Sequence, residues 1–228
     1  LKSNDYNLVY KKAIEYYNKG DYQRAMNLLD GVRSVFVGQA KAQNIAYYRA
    51  FCSYNMKDYQ IASDLFKQFI QTYPESSFAE ECLYMMGFCD YKASPKPRLD
   101  QQVTEKAIRE FQLYLSRYPY SMRKDKVNTY MDEMRDKLSY KAYLSAKNYY
   151  LREHYKAAVI SLQNCLKDYP GSKYREEIMY MLFVSKYQMA VNSVEDKKVE
   201  RYNNAREEYY YFADEYPNSR YAADVKKM

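Results

Sequence analysis

Four times along the chain a Tyr-Pro pair is followed, two residues after the Pro, by Ser. The copies are Tyr73-Pro74-Glu75-Ser76, Tyr118-Pro119-Tyr120-Ser121, Tyr169-Pro170-Gly171-Ser172 and Tyr216-Pro217-Asn218-Ser219. Twelve residues before each Pro stands an Ala (Ala62, Ala107, Ala158, Ala205), and eight before it a large residue (Phe66, Phe111, Leu162, Tyr209). Pro cannot continue a helix and Ser favours the N-cap of a new one, so each copy is expected to end one helix and cap the next. The Ala lets two helices approach closely, and the large residue fills the groove between them. Units that recur this way cannot bury their apolar faces alone and must stack on their neighbours.

Upstream of most of these Ala positions lies a turn: Gly20-Asp21-Tyr22 before Ala25, Lys57-Asp58-Tyr59 before Ala62, Glu153-His154-Tyr155 before Ala158. Helix, turn and helix together resemble the tetratricopeptide repeat. Five copies fit, with first helices near 4–19, 41–56, 77–92, 123–152 and 174–191, and second helices near 22–36, 59–72, 103–117, 155–168 and 200–215. Inserts are expected around Ala93–Gln102 and Asn192–Val199, and a short cap follows Ser219. The expected fold is all-α, a right-handed superhelical solenoid of about five tetratricopeptide-like helix pairs. An offset of 96 maps Tyr73-Pro74 onto Tyr169-Pro170, Tyr84 onto Tyr180 and Tyr91 onto Tyr187. It suggests two parts hinged near residue 120, with repeats 1–3 in 1–120 and repeats 4–5 plus the cap in 121–228.

Composition agrees with such a fold. Tyr at 31 residues and Met at 11 supply the buriable side chains, while five Gly and six Pro are too few for a collagen or a many-turned β domain. No run approaches the ~18 apolar residues of a membrane span. The net charge of +7 is spread and mixed with acids, as in Arg123-Lys124-Asp125-Lys126, which gives no reason to expect a nucleic-acid patch.

Aligning the first helices reveals a ladder of tyrosines. One position reads Tyr10, Tyr47, Tyr84, Tyr143, Tyr180; seven residues later it reads Tyr17, Tyr54, Tyr91, Tyr150, Tyr187; Ile14, Phe51, Phe88, Lys147 and Val184 lie between. These offsets share one helical face, and in a helix-pair solenoid the first helices line the concave side. Tyr10, Tyr17, Tyr47, Phe51, Tyr54, Tyr84, Phe88 and Tyr91 are therefore the candidate client-binding groove, with Asn18 and Asn55 beside it to bond a guest's backbone. The competing reading is inter-helix packing, since Tyr is common at these positions in such repeats.

Catalytic patterns are missing from the sequence. His154 is the one His and sits in a turn; the five Gly form no phosphate loop, and no His-containing metal spacing occurs. No cofactor is expected and the chain reads as no enzyme. The acid pairs Glu80-Glu81, Glu176-Glu177 and Glu207-Glu208 read as solvated surface. Cys52, Cys82, Cys89 and Cys165 read as buried fillers, with a Cys52–Cys89 bridge as the alternative.

The stretches Ala142–Tyr150, His154–Val159 and Asp168-Tyr169-Pro170-Gly171-Ser172 resemble the fourth repeat of the BamD family of outer-membrane β-barrel assembly lipoproteins. The insert Ser94–Gln101 leading into Ala107-Ile108-Arg109-Glu110-Phe111 is similar to that family's third repeat, and Phe66–Ile70 with Tyr73-Pro74-Glu75-Ser76 fits as well. The resemblance implies a non-enzymatic scaffold at the periplasmic face of the outer membrane, held by lipid on an N-terminal Cys that lies outside this chain. It implies N-terminal repeats that receive the aromatic-ended signal strand of unfolded barrel proteins. It also implies C-terminal repeats that dock the periplasmic domains of the barrel-forming subunit, here around Tyr149, Tyr150 and Arg152. Where the family often carries an Arg after the Ala-Ala-Val stretch, this chain has Ile160-Ser161. Alternative readings are another periplasmic repeat adaptor, serving envelope constriction, the cell wall or polysaccharide capture, and a carboxylate-clamp co-chaperone. The clamp needs Lys and Asn on the inner face, where this chain has Tyr10 and Ile14.

Overall fold

The computed structural model describes residues 5–228, so Leu1-Lys2-Ser3-Asn4, including the expected helix start at residue 4, lies outside the described residues. Among the described residues there are eleven helices and no strand. They are α1 (Tyr6–Asn18), α2 (Tyr22–Val32), α3 (Ala40–Asn55), α4 (Tyr59–Thr72), α5 (Ala79–Ala93), α6 (Gln102–Arg117), α7 (Lys124–Leu151), α8 (Tyr155–Asp168), α9 (Arg175–Val191), α10 (Glu195–Glu215) and α11 (Ala222–Lys227). Chain contacts divide into two compact units, Leu1–Met134 and Arg135–Met228.

In the first unit each helix from α1 to α6 packs on the next; in the second, α8, α9 and α10 do the same. The conserved spacing of Ala and large residues explains the pairing. Ala62, Ala107, Ala158 and Ala205 are at most 2% exposed, and Phe66, Phe111 and Leu162 are fully buried beside them. One glycine makes a still closer contact: a Cβ at Gly87 on α5 would lie 2.9 Å from the Phe111 ring.

The turn between paired helices is the same device three times. The N–H of Asp21 bonds the carbonyl of Tyr16 and that of Gly20 bonds Tyr17; Asp58 to Ser53 with Lys57 to Tyr54, and His154 to Tyr149 with Glu153 to Tyr150, repeat it. This double-bonded helix ending needs a left-handed residue in the middle. Gly20 (φ 80), Lys57 (φ 67) and Glu153 (φ 60) all adopt it, two of them with a side chain that strains there.

Three expectations are corrected. The Ser of Tyr-Pro-x-Ser does not cap the following helix. The Oγ atoms of Ser76, Ser121, Ser172 and Ser219 accept from the N–H two residues on, at Phe78, Arg123, Tyr174 and Tyr221, forming a turn one step before the helix. Most of the expected insert 192–199 is helical from Glu195, because Glu195-Asp196-Lys197-Lys198-Val199 lacks Pro and Gly and places its acids at the positive end of the helix dipole. Conversely α2 stops at Val32 instead of 36; repeat 1 has no Tyr-Pro-x-Ser, and Phe36, 3% exposed, plugs the core from the following turns. The other insert is an ordered loop. The buried Gln101 donates to the carbonyls of Lys96 (2.9 Å) and Leu99 (3.2 Å), and accepts from Thr104.

Candidate functional site

The upper rung of the tyrosine ladder is built into the junctions between repeats. The residue two after each Ser covers the ladder Tyr of the preceding repeat. Phe78 lies 4.5 Å from Tyr47 between ring centroids, Tyr174 stacks on Tyr143 at 4.4 Å, Tyr221 stacks on Tyr180 at 4.1 Å, and the Arg123 guanidinium lies 4.8 Å over Tyr84. In the first unit Tyr84 is only 7% exposed, so it is core. Tyr47 is half-buried and donates its hydroxyl to Glu81 at 2.7 Å; burial, then this carboxylate, push its phenol pKa far up.

The pairs Glu80-Glu81 and Glu176-Glu177 thus join neighbouring repeats, which corrects their reading as solvated surface, while Glu207 is exposed as that reading expects. Glu80 accepts from Ser121 (2.7 Å) and Tyr114 (3.0 Å), and Glu176 accepts from Ser219 (2.6 Å). Lys147 donates to Glu177 at 2.7 Å and to the Tyr143 hydroxyl at 2.8 Å. Burial raises the Glu177 pKa, but the bonds from Lys147 and Tyr143 outweigh it and hold the carboxylate below its usual range. Glu208 pairs with Lys186 in a half-buried bridge between the two helices of one repeat.

The remaining groove residues form a half-buried aromatic face on α1, α3 and α5. Tyr17 meets Tyr48 edge-on at 4.9 Å; Phe51 packs on Phe66 at 5.1 Å; Tyr54 lies 6.2 Å from Phe88, and Tyr91 stacks on Tyr130 at 4.5 Å. Tyr10 lies 6.3 Å from Phe36. Rings in such contact hold one another at a fixed angle, and the Tyr91 hydroxyl donates to Glu133. Burial raises the pKa of Tyr10 and Tyr54 and pushes Tyr17 up to about 12; burial and then Glu133 push Tyr91 up to about 12. At neutral pH these phenols are protonated, and the Tyr91 proton is held by Glu133. Lys92 lies over Phe88 and Tyr91 at 5.2 and 5.9 Å, and Lys126 over Tyr130 at 5.9 Å, so the face carries positive charge beside its rings. Asn55 spends its amide on the carbonyl of Phe51 at 2.9 Å, whereas Asn18 is exposed.

On the second unit Tyr149 is 40% exposed and Arg152 is exposed, while Tyr150 is half-buried and packs with Tyr180 and Leu166 in the core. Sequence reasoning missed Tyr48, Tyr130 and the residues that cover the ladder. The last left a signal, an aromatic residue or Arg two positions after every Ser. His154 is exposed in its turn. All four cysteines are buried free thiols, and burial raises each pKa. The fillers reading holds and the Cys52–Cys89 bridge does not form. Among the described residues no group of three or more His, Cys, Asp or Glu is placed to hold a metal, and no helix is long and apolar enough to cross a membrane.

A family model described as "YfiO: Outer membrane lipoprotein" matches residues 2–176 and 139–228. The chain belongs to this family. Its YfiO membership covers nearly every residue and agrees with the BamD-type resemblance of the repeats. Two solved structures are similar in part: a TPR2AB-domain:pHSP90 complex of yeast Sti1, at 11% identity and TM-score 0.44 over 97% of this chain and 96% of that one, and a human IFIT1 dimer with PPP-AAAA, at 15% identity and TM-score 0.29 over 90% and 51%. No curated protein sequence matches the chain. An all-α fold of stacked helix pairs in a YfiO-family chain is a protein-interaction scaffold.

Proposed function

We propose that this YfiO-family chain is a non-enzymatic scaffold subunit of the machinery that assembles outer-membrane β-barrel proteins, working at the periplasmic face of the outer membrane. Its first unit receives the aromatic-ended signal strand of unfolded barrel proteins. The observation that carries the reading is the half-buried aromatic face of α1, α3 and α5, with protonated phenols and Lys92 beside the rings. An extended strand needs apolar area for its side chains and donors for its carbonyls and terminal carboxylate; Tyr10, Tyr17 and Tyr54 offer both, and Tyr91, whose hydroxyl donates to Glu133, offers ring area. Tyr47, Phe51 and Phe88 supply ring surface beneath them, and the buried Tyr84 fixes the helices that present them.

Tyr149 and Arg152, with Tyr150 behind them, form the proposed docking point for the periplasmic domains of the barrel-forming subunit. The division of labour follows the halves 1–120 and 121–228. Replacing Tyr10, Tyr54 and Tyr91 with Ala should weaken binding of a barrel-protein C-terminal peptide at least tenfold, with helical content retained by circular dichroism. Unchanged affinity in the folded variant rejects the receptor role. Tyr149→Ala with Arg152→Ala should abolish co-purification of the barrel-forming subunit; full retention rejects the docking point.

A further inference from the structure

Each Tyr-Pro-x-Ser junction has two outward positions that the stacking of repeats does not use, the residue before the Ser and the residue after it. Three junctions fill them with small, polar or charged residues: Glu75 and Ser77, Gly171 and Lys173, Asn218 and Arg220. The junction between α6 and α7 carries Tyr120 and Met122 instead, 97% and 102% exposed. Neither packs on a core cluster of the first unit among the described residues. The residue between them is pinned. The Ser121 N–H bonds the carbonyl of Tyr118, its hydroxyl donates to Glu80, and its Oγ accepts from the N–H of Arg123. Pro119 fixes the backbone ahead of it. A pinned turn therefore holds two large apolar side chains in water, although their burial would be favourable.

Cations flank this tip. Arg117, Lys124 and Lys126 are exposed, and Arg123 pairs with Glu81 at 3.6 Å. From residue 117 to 126 the one acid is Asp125; Glu75 belongs to the neighbouring junction, where Arg117 donates to the carbonyl of Pro74. We propose that Tyr120 and Met122 form an insertion tip that seats the first unit on the headgroup layer of an anionic phospholipid bilayer. A Tyr ring settles at the membrane–water interface with its hydroxyl toward water, Met enters the acyl boundary, and Lys and Arg meet lipid phosphates. A protein is the poorer occupant. Two side chains supply roughly half of the ~800 Å² that each partner of a stable complex buries, whereas a bilayer needs no matching shape. A second copy fits badly, since a two-fold contact sets the cations against their own images. The family is described as outer-membrane lipoproteins, so a bilayer lies beside its members, and a contact too weak to anchor the chain still orients it. The proposal rests on the membrane placement proposed above and is independent of the client face.

The chain contains no Trp, so Tyr120→Trp installs a single fluorescent reporter. With vesicles of phosphatidylglycerol and phosphatidylcholine its emission should shift to the blue and be quenched by brominated acyl chains. Tyr210→Trp, on the exposed side of α10, should do neither. In flotation of the full chain, Tyr120→Ser with Met122→Ser should lower binding to these vesicles at least fivefold at unchanged Tm, because the side chains make no core contact. Lys124→Glu should lower it about fivefold, and should leave binding to pure phosphatidylcholine as it was. A barrel-protein C-terminal peptide should bind each variant with parental affinity in vesicle-free solution, which separates this contact from the receptor role. Unshifted emission from Tyr120→Trp on vesicles, equal shifts from Tyr120→Trp and Tyr210→Trp, or full vesicle binding by the double Ser variant overturns the proposal and leaves the tip to a protein partner.

Discussion

Single residues store the strain and the charge that the repeat pattern does not require. Lys57 and Glu153 hold the left-handed turn position that Gly20 fills without cost. Glu153→Gly should therefore stabilise the chain by about 0.5–1 kcal/mol, net of the extra freedom Gly gains when unfolded, seen as a Tm rise of about 1–4 °C; a fall in Tm would show the turn to be relaxed. A buried acid carries the clearest charge effect. Glu110, 8% exposed, has an oxygen with no hydrogen-bond partner, and beside it Lys106 reaches Asp90 at 2.8 Å. Burial, then the hydrogen bond and charge of Asp90, raise the Glu110 pKa well above its ordinary 4.5. The folded chain keeps this proton after the unfolded chain has lost it, so stability falls as pH rises from about 4.5 through the raised value and levels beyond it. Glu110→Gln should remove that fall, on the order of 2 kcal/mol, in melting curves from pH 4.5 to 9. Parallel curves for variant and parent would place the proton elsewhere.

At the scale of elements, the junctions between repeats decide the packing. A Ser hydroxyl, a Glu and a planar group over the previous Tyr (the Arg123 guanidinium, then the Tyr221 ring) recur at residues 121, 80 and 84 and again at 219, 176 and 180. Ser121→Ala should cost about 1–2 kcal/mol, because it leaves a half-buried carboxylate short of a donor; a loss within error of zero would show that water replaces the hydroxyl. Gly87→Ala should cost about 1–3 kcal/mol by driving a Cβ into the Phe111 ring, read from denaturant midpoints, and unchanged stability would mean that the ring yields freely. Much of this was legible beforehand, since Pro placement, the Ala of each second helix and the first-helix tyrosines put the helix pairs within a few residues of where they lie. The role of the acid pairs was not. Adjacent Glu residues point to different sides of a helix, and their partners Ser121, Tyr47 and Lys147 lie 30 to 41 positions away, beyond any local pattern.

For the whole molecule, the ladder that looked like one feature separates into two. The upper tyrosines from Tyr47 on are capped by the following repeat and hold the stack together; Tyr10, which no Tyr-Pro-x-Ser follows in its repeat, and the lower Tyr17, Tyr54 and Tyr91 remain half-buried on the face of the first unit. Spacing alone could not separate them, because all these tyrosines share one helical face and only the covering residues two positions after Ser tell the capped ones apart. Family membership gives the chain its class, a YfiO-family protein-interaction scaffold, and the aromatic face is the surface on which we propose it receives its client. The most direct measurement places a photo-crosslinking amino acid at Tyr54 and, as a control, at Tyr210, an exposed position of α10 (61%). Each full-length variant is then irradiated with an unfolded outer-membrane barrel protein. Adducts at Tyr54 that disappear when the client's C-terminal strand is deleted, with none at Tyr210, are the expected result. Equal adducts at both positions, or adducts at Tyr54 that survive the deletion, would contradict reception of the signal strand by this face.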